Sequence, residues 1–312
     1  MKLDVLRNYM PVITLTTMIL IVGLVTPEFL TIQTLLVLAS DTATLFVMAM
    51  GVTFLIMLGG IDLSIQSIAS FSSVIVALCL PYLGYTSFFI AVIICFIVGL
   101  ISGTIHVKLN IPSFIATLAV GGIASGTALI LSDAQAITMM ENERSYIKWI
   151  TGSNVGIPNE VIIGIIVLIV GITLQRYTKF GRLSQAIGAG EPAAFASGIN
   201  VNYHKIIACG LSGGFAGFAG VILSGRLTSG SPTLATGLLL PSIAAVIIGG
   251  TAITGGVGSI LRTLIGALII SVVRIGMTFM GINIFAHQAV FGLVLILAVA
   301  LTIDRTKIPI IK

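Results

Sequence analysis

Apolar residues run along this chain in long blocks, interrupted by short clusters of charge, glycine and proline, and do not alternate with polar positions. A helix of about 20 residues rises roughly 30 Å, the thickness of a bilayer's hydrocarbon core. Ten blocks of that order are visible, centred near Leu20, Ala49, Val74, Ile97, Val120, Val167, Gly214, Ile247, Ala267 and Val294. The second begins near Leu35 and contains Asp41, so its outer boundary is open. Inside lipid every backbone polar group must be paired within the protein, which selects helices over open strands. The pattern predicts an all-α fold, a polytopic transmembrane helical bundle of about ten spans, forming one domain over 1–312.

Composition excludes the soluble alternatives. Of 312 residues, 57% are apolar and 8% are charged, whereas about a quarter of an ordinary soluble domain is charged. A globule of this size has too little polar surface to cover such a chain. The 35 glycines suit membrane helices that approach one another closely. Cys79, Cys95 and Cys209 stand singly in apolar runs, as packing residues do, with no zinc or disulfide spacing. His106, His204 and His287 are equally isolated, so no metal or other cofactor is expected. The first apolar run follows Lys2 and Arg7 but lacks a small-residue cleavage site, and reads as a retained span.

Net charge is +5, but the basic residues form no patch, which argues against a nucleic-acid partner and for membrane orientation. With the N-terminus inside, Lys2, Arg7, Lys108, Arg176, Lys179, Arg182, Lys205, Arg262, Arg305, Lys307 and Lys312 lie in cytoplasmic segments. Only Arg144, Lys148 and Arg226 remain on the other side, and Arg274 falls inside a span. This asymmetry puts both termini in the cytoplasm. One long loop, about 133–160, is then extracytoplasmic; it carries Trp149, and reads as an interfacial helix or as a docking rim. Another, about 179–205, is cytoplasmic. Within it Glu191-Pro192-Ala193-Ala194-Phe195-Ala196-Ser197-Gly198 has proline in a first turn, an acidic start and a glycine stop, which together spell a short helix. Such a helix needs external support, because a few residues do not stay helical alone.

A weak internal repeat relates Gly59-Gly60-Ile61-Asp62-Leu63-Ser64, followed by Ser67-Ile68, to Gly249-Gly250-Thr251-Ala252-Ile253-Thr254, followed by Ser259-Ile260. Repeated glycine breaks in transporters expose backbone groups to a pathway; two ordinary turns would give the same pattern. At these segments the chain resembles the ribose, xylose and galactose type of ABC-importer permease. The resemblance runs from about Asp41 to Asp304 through ordered blocks. After Gly59 to Ser64 come Ile111-Pro112-Ser113-Phe114-Ile115-Ala116-Thr117-Leu118, then Phe180-Gly181-Arg182, Ala186-Ile187-Gly188 and Gly198-Ile199-Asn200-Val201. Leu211-Ser212-Gly213, Ile243 to Thr251 and Gly255-Gly256-Val257-Gly258-Ser259 complete the order.

The resemblance implies a ten-span bacterial inner-membrane permease for a monosaccharide, paired with a second permease as a homo- or heterodimer. It also implies an extracytoplasmic sugar-binding protein and a cytoplasmic ABC ATPase subunit that hydrolyses ATP. The chain itself has no phosphate-binding loop and is expected to be a transport subunit rather than an enzyme. Gly181, Arg182, Ile187, Gly188, Glu191, Ala194, Phe195 and Gly198 match the segment that meets the ATPase in such importers. Phe195 and Ala194 are expected to enter a groove on it. Four positions depart from the family pattern: Gln66 replaces a usual glycine, Phe195 a usual basic residue, and Leu239 and Pro241 a usual acidic pair.

Sparse charge suits the passage of a neutral sugar, which needs hydroxyl-matching groups and apolar surface. Candidate pathway residues are Asp41, Thr42, Thr44, Asp62, Ser64, Gln66, Ser67 and Arg274. Asp62 also reads as a helix N-cap, worth about 1 kcal/mol. Asp41 and Arg274 need a partner, water or the headgroups, because an ionised group at depth costs about 2.5 kcal/mol or more. Rival readings are a permease for another small solute, such as a branched amino acid or a signalling sugar derivative, or an ion-coupled secondary transporter. An intramembrane hydrolase using Ser125 with a histidine is a further rival, although Gly122 to Gly126 also makes a helix-packing face.

Overall fold

The computed structural model describes residues 2–302, with side chains over 10–300. The C-terminus, with Asp304, Arg305, Lys307 and Lys312, lies outside the described residues. The chain runs through α1 (Lys2–Val25), α2 (Ile32–Met57), α3 (Ile65–Leu83), α4 (Thr86–Lys108), α5 (Ser113–Leu131) and α6 (Arg144–Thr151). It continues through α7 (Asn159–Ile172), a π turn at Thr173–Tyr177, α8 (Lys179–Ala189), α9 (Glu191–Ala196) and α10 (Val201–Leu227). Last come α11 (Leu239–Ile248), α12 (Ile260–Phe279) and α13 (Ile284–Thr302). Among the described residues, seven helical segments are long and apolar enough to cross a membrane, and Met10–Val25, Leu239–Ile248 and Ile284–Ala300 are shorter apolar helices. All ten coincide with the ten expected blocks.

Burial divides these helices by role. Almost every residue of α2 from Thr42 to Met57 is buried, and α10 packs beside it between α3 and α4. Contact between α4 and α10 depends on glycine: a Cβ on Gly99 would sit 2.3 Å from the Cys209 carbonyl, and one on Gly213 would sit 2.4 Å from the Cys95 carbonyl. Backbones this close make the interface from small residues, as membrane helices do without a strong hydrophobic drive. Only about a third of α4, α5 and the α7 segment is buried, so these helices present apolar side chains outward.

The extracytoplasmic loop of the sequence reading contains α6, which lies on the bundle with Ile147 and Ile150 buried. Trp149 meets Phe88 edge-on at 5.4 Å, and Tyr146 meets Tyr85 at 5.1 Å. A two-residue strand, β1 (Ile137–Thr138), pairs antiparallel with another two-residue segment, Ser229–Gly230, beyond α10. The segment is thus helical and packed on the bundle, with Trp149 lying against Phe88.

The eighth block differs from expectation. A full span centred near Ile247 would need about 20 helical residues, but α11 has ten and stops at Gly249-Gly250, where Gly250 adopts φ +88°. At about 15 Å it covers half a bilayer. Residues 228–238 supply the rest as a non-helical segment that descends along α3. Ser231 N donates to Ser73 Oγ (3.1 Å), Ala235 N to Ser70 Oγ (3.0 Å), and Gly237 N to Gln66 Oε1 (3.4 Å). The polar stripe of α3 thus satisfies a re-entrant backbone, the condition for irregular chain at membrane depth.

Candidate functional site

Three polar constellations interrupt the apolar bundle. The first lies toward the α6 side. Asp41, in the tenth position of α2, accepts from Arg274 Nη2 at 2.8 Å and from Arg226 Nη1, so one carboxylate joins α2, α10 and α12. Its side chain is 14% exposed, against 34% for Arg226 and 28% for Arg274. Glu160, buried in the first turn of α7, lies within electrostatic reach of Arg226 and Asp41. Asp41 and Arg274, singled out separately in the sequence, are therefore partners of each other. Arg226 and Glu160 were missed: Arg226 counted only as a charge of the outer side, and Glu160 only as the end of the 133–160 loop.

Two cavities adjoin this cluster. One of about 100 Å³ is bordered by Asp41, Thr44, Arg226 and Arg274; the other, about 300 Å³, opens between α11, α12 and α13. Thr44 is thus beside the path candidates, whereas Thr42 bonds its hydroxyl to the Leu38 carbonyl (2.7 Å) and borders neither cavity. A 450 Å³ cavity among α4, α7 and α10 has only apolar side chains and glycine in its walls, which gives a polar solute nothing to bond.

The second constellation is the break between α2 and α3. Helix α2 ends at Met57, Gly59 takes φ +81°, and residues 58–64 are not helical. Their amides are met from α5: Ile61 N donates to Ser113 Oγ and Leu63 N to Thr117 Oγ1, each at 3.0 Å. Asp62, 2% exposed, accepts from Ser64 N (2.8 Å) and Ser64 Oγ (2.5 Å), and so caps the approach to α3, whose N-cap is Ser64 itself. The capping reading of Asp62 is close to what is observed. Ser67 is half-buried against Gly121 of α5, and Gln66 points to the re-entrant loop. Ser113 and Thr117 went unassigned in the sequence, although two hydroxyls four residues apart at a helix start share a face.

The third constellation, at the α8 side, joins both glycine repeats to the loop of 179–205. Gly256 N donates to the Met57 carbonyl (2.9 Å), so the 249–259 loop docks on the end of α2. Gly188 lies where these meet: a Cβ there would be 1.9 Å from Met57 O and 2.4 Å from Gly256 N. Buried Gln175, in the π turn, donates to Gly258 O (2.8 Å) and accepts from Ile260 N (2.9 Å), tethering the start of α12. Gln185 Nε2 reaches Gly258 O as well, at 3.3 Å. Gln175 had no sequence signal beyond being an amide in an apolar run.

Helices α8 and α9 contain the other coupling candidates. Gly181 sits against the Gln175 backbone, Arg182 is exposed and donates to the Arg176 carbonyl (3.4 Å), and Ile187 is buried. Glu191 pairs with Lys205 at 2.7 Å. Gly198, at φ +79°, ends α9 with Gly198 N donating to Phe195 O and Ile199 N to Ala194 O, which satisfies the last carbonyls. The structure separates the two residues expected to share a groove. Ala194 is buried beside Leu55, Leu58, Val201 and Ala208, whereas Phe195 is 73% exposed. One anchors α9 to the bundle and the other faces away from it.

A multi-pass helical bundle with broken helices, satisfied polar loops at depth and a cluster of short helices at one end is the build of a solute transporter. Residues 34–299 match the family described as the branched-chain amino acid transport system / permease component. The ribose import permease of Bacillus subtilis is 35% identical over 311 residues, covering 97% of this chain and 94% of that protein. The D-allose transport system permease of Escherichia coli is 32% identical, with coverage of 92% and 89%. The L-arabinose ABC transporter permease of Azospirillum brasilense is 33% identical, with coverage of 89% and 82%. The chain belongs to this family of transport-system permeases.

Proposed function

We propose that this chain is the membrane-spanning subunit of an ATP-binding-cassette importer for a monosaccharide. It provides a path that opens alternately to each side and takes its free energy from a separate ATPase. The observation that carries this reading is the meeting of Gly188 with Met57 and Gly256, which links α8 and α9 to both broken segments of the bundle. The named sugar permeases among its relatives support the cargo class. A binding protein delivers sugar at the α6 side, and a second permease, identical or different, completes the path. The family description favours a second reading, a branched amino acid as cargo. Titrating the delivering binding protein with sugars and with branched amino acids by calorimetry separates the two.

The protein sits in the bacterial inner membrane with α8 and α9 in the cytoplasm. Topology reporters placed within 188–200 and after Lys312 are expected to report cytoplasm, and one near Glu143 the opposite side, following the basic asymmetry. An externally labelled C-terminus would reverse this orientation.

Phe195 is the apolar contact offered to the ATPase. Burying such a ring is worth about 1.5–3 kcal/mol, or roughly ten- to a hundredfold in affinity. Phe195→Asp is therefore expected to leave the bundle folded while reducing ATPase co-purification by that order. Full co-purification would show that α9 docks nothing through this residue.

A further inference from the structure

The 300 Å³ cavity between the tip of the re-entrant loop and helices α11, α12 and α13 has no role so far. One wall is the Asp41–Arg274 ion pair; Thr236 of the loop and Thr278 of α12 add hydroxyls, and His287 and Gln288 of α13 add a ring and an amide. Several of these groups retain bonding capacity. Arg274 gives a single N–H to Asp41 out of its five. Gln288 donates Nε2 to the Gly237 carbonyl (3.2 Å), which leaves its Oε1 as an acceptor. His287 is only 6% exposed, and its Nε2 has no hydrogen-bond partner among the described residues. A buried ring nitrogen without a partner is costly unless something polar arrives. Phe291, 2% exposed, contributes an aromatic ring beside these polar groups.

We infer that this cavity is a monosaccharide subsite on the path, a way-station between delivery at the α6 side and the bundle interior. The inference rests on the transport reading above and names where in the chain the sugar is held. Its volume is at the small end of ligand pockets, sized for a single sugar ring rather than an oligosaccharide. A sugar presents adjacent hydroxyls that each donate and accept, together with an apolar ring face. Carboxylate, guanidinium, amide and imidazole, with the phenyl ring of Phe291 on the same face of α13 as His287 and Gln288, supply the polar and apolar groups that pattern needs. The Asp41 carboxylate is already compensated by two guanidinium groups, which suits a neutral guest over a cation. At its edge Gly237 is held between Gln66 of α3 and Gln288 of α13, each bonded to its backbone. Gln66, the departure from the family pattern, thereby sets where the loop tip lies and acts as a positioning residue for the subsite.

The test uses the full chain in nanodiscs, with Cys79, Cys95 and Cys209 replaced by alanine and either Thr236→Cys or Thr278→Cys introduced. The rate of modification by a small hydrophilic thiosulfonate is measured with D-ribose, D-allose, L-arabinose, leucine or phosphocholine present. A sugar in twofold excess over its Kd is expected to slow the reaction about threefold at both positions. Leucine and phosphocholine are expected to have no effect, and Gln288→Leu to remove the protection. No slowing by any sugar, or slowing by phosphocholine alone, as a lipid headgroup site would give, overturns the subsite. Transport by the complete complex separates the two levels of the argument. Sugar import with unchanged KM and kcat in Gln288→Leu would sink the subsite and leave the transport reading intact. A wild-type complex that imports no monosaccharide would remove both.

Discussion

Gly188→Leu is expected to abolish ATP-driven uptake, by at least about a hundredfold, because the side chain has no space to enter. Its Cβ alone would lie 1.9 Å from the Met57 carbonyl and 2.4 Å from Gly256 N, and both neighbours are backbone that cannot rotate aside. Helix α8 must therefore lift from the end of α2 and from the 249–259 loop, breaking a contact at which both glycine repeats meet this helix. Overpacking of this kind costs typically 1–3 kcal/mol, occasionally more, small enough for a large bundle to remain assembled. The expected result is a permease of near-normal abundance, able to bind its ATPase through α9, in which ATP hydrolysis continues without import. Import at the wild-type rate would show that this contact transmits nothing.

Asp41→Leu carries the second large effect. Removing the carboxylate takes from Arg226 and Arg274 the counter-charge they share, with Glu160 still within electrostatic reach of Arg226. Breaking a fully buried pair costs about 3–5 kcal/mol; the partial exposure of these guanidinium groups lowers the expected cost to roughly 2–3 kcal/mol. A lowered melting temperature in detergent is expected, with uptake lost. The triple variant Asp41→Leu, Arg226→Gln, Arg274→Gln should recover most of the melting temperature but not the uptake, since repulsion is gone and the polar wall is gone too. Equal melting temperatures for wild type and Asp41→Leu would mean that water, rather than the carboxylate, compensates both arginines.

How far the sequence reached is set by the range of the interactions concerned. Long apolar blocks report on helices through lipid, a local requirement, so the positions of ten apolar helices were legible, though not that the eighth is only half a span. The stop at Gly198 and the proline start at Pro192 were legible for the same reason: capping chemistry acts within one turn. The re-entrant segment 228–238 was not legible. Its stability comes from Ser70, Ser73 and Gln66, some 160 residues away in the chain, and its own residues carry no apolar period. The same holds for Ser113 and Thr117, quoted as part of a recognisable block but given a task only when α5 is seen beside residues 61–63. Asp41 and Arg274 were each expected to need a partner, water or the headgroups, yet 233 positions separate them, so their pairing was invisible. Ala194 and Phe195 are adjacent, and nothing local tells which of them the bundle covers; the fold decides that, through Leu55 and Leu58.

The central claim is that this chain carries a monosaccharide across the membrane at the expense of ATP hydrolysed elsewhere. Its most direct test is uptake of labelled sugar into proteoliposomes containing the chain, its ATPase and its binding protein, with ATP on the α8 side and the binding protein on the α6 side. The account predicts uptake that requires both partners and ATP, and that is lost in Gly188→Leu. Uptake that proceeds without the ATPase, driven by an ion gradient, would contradict it.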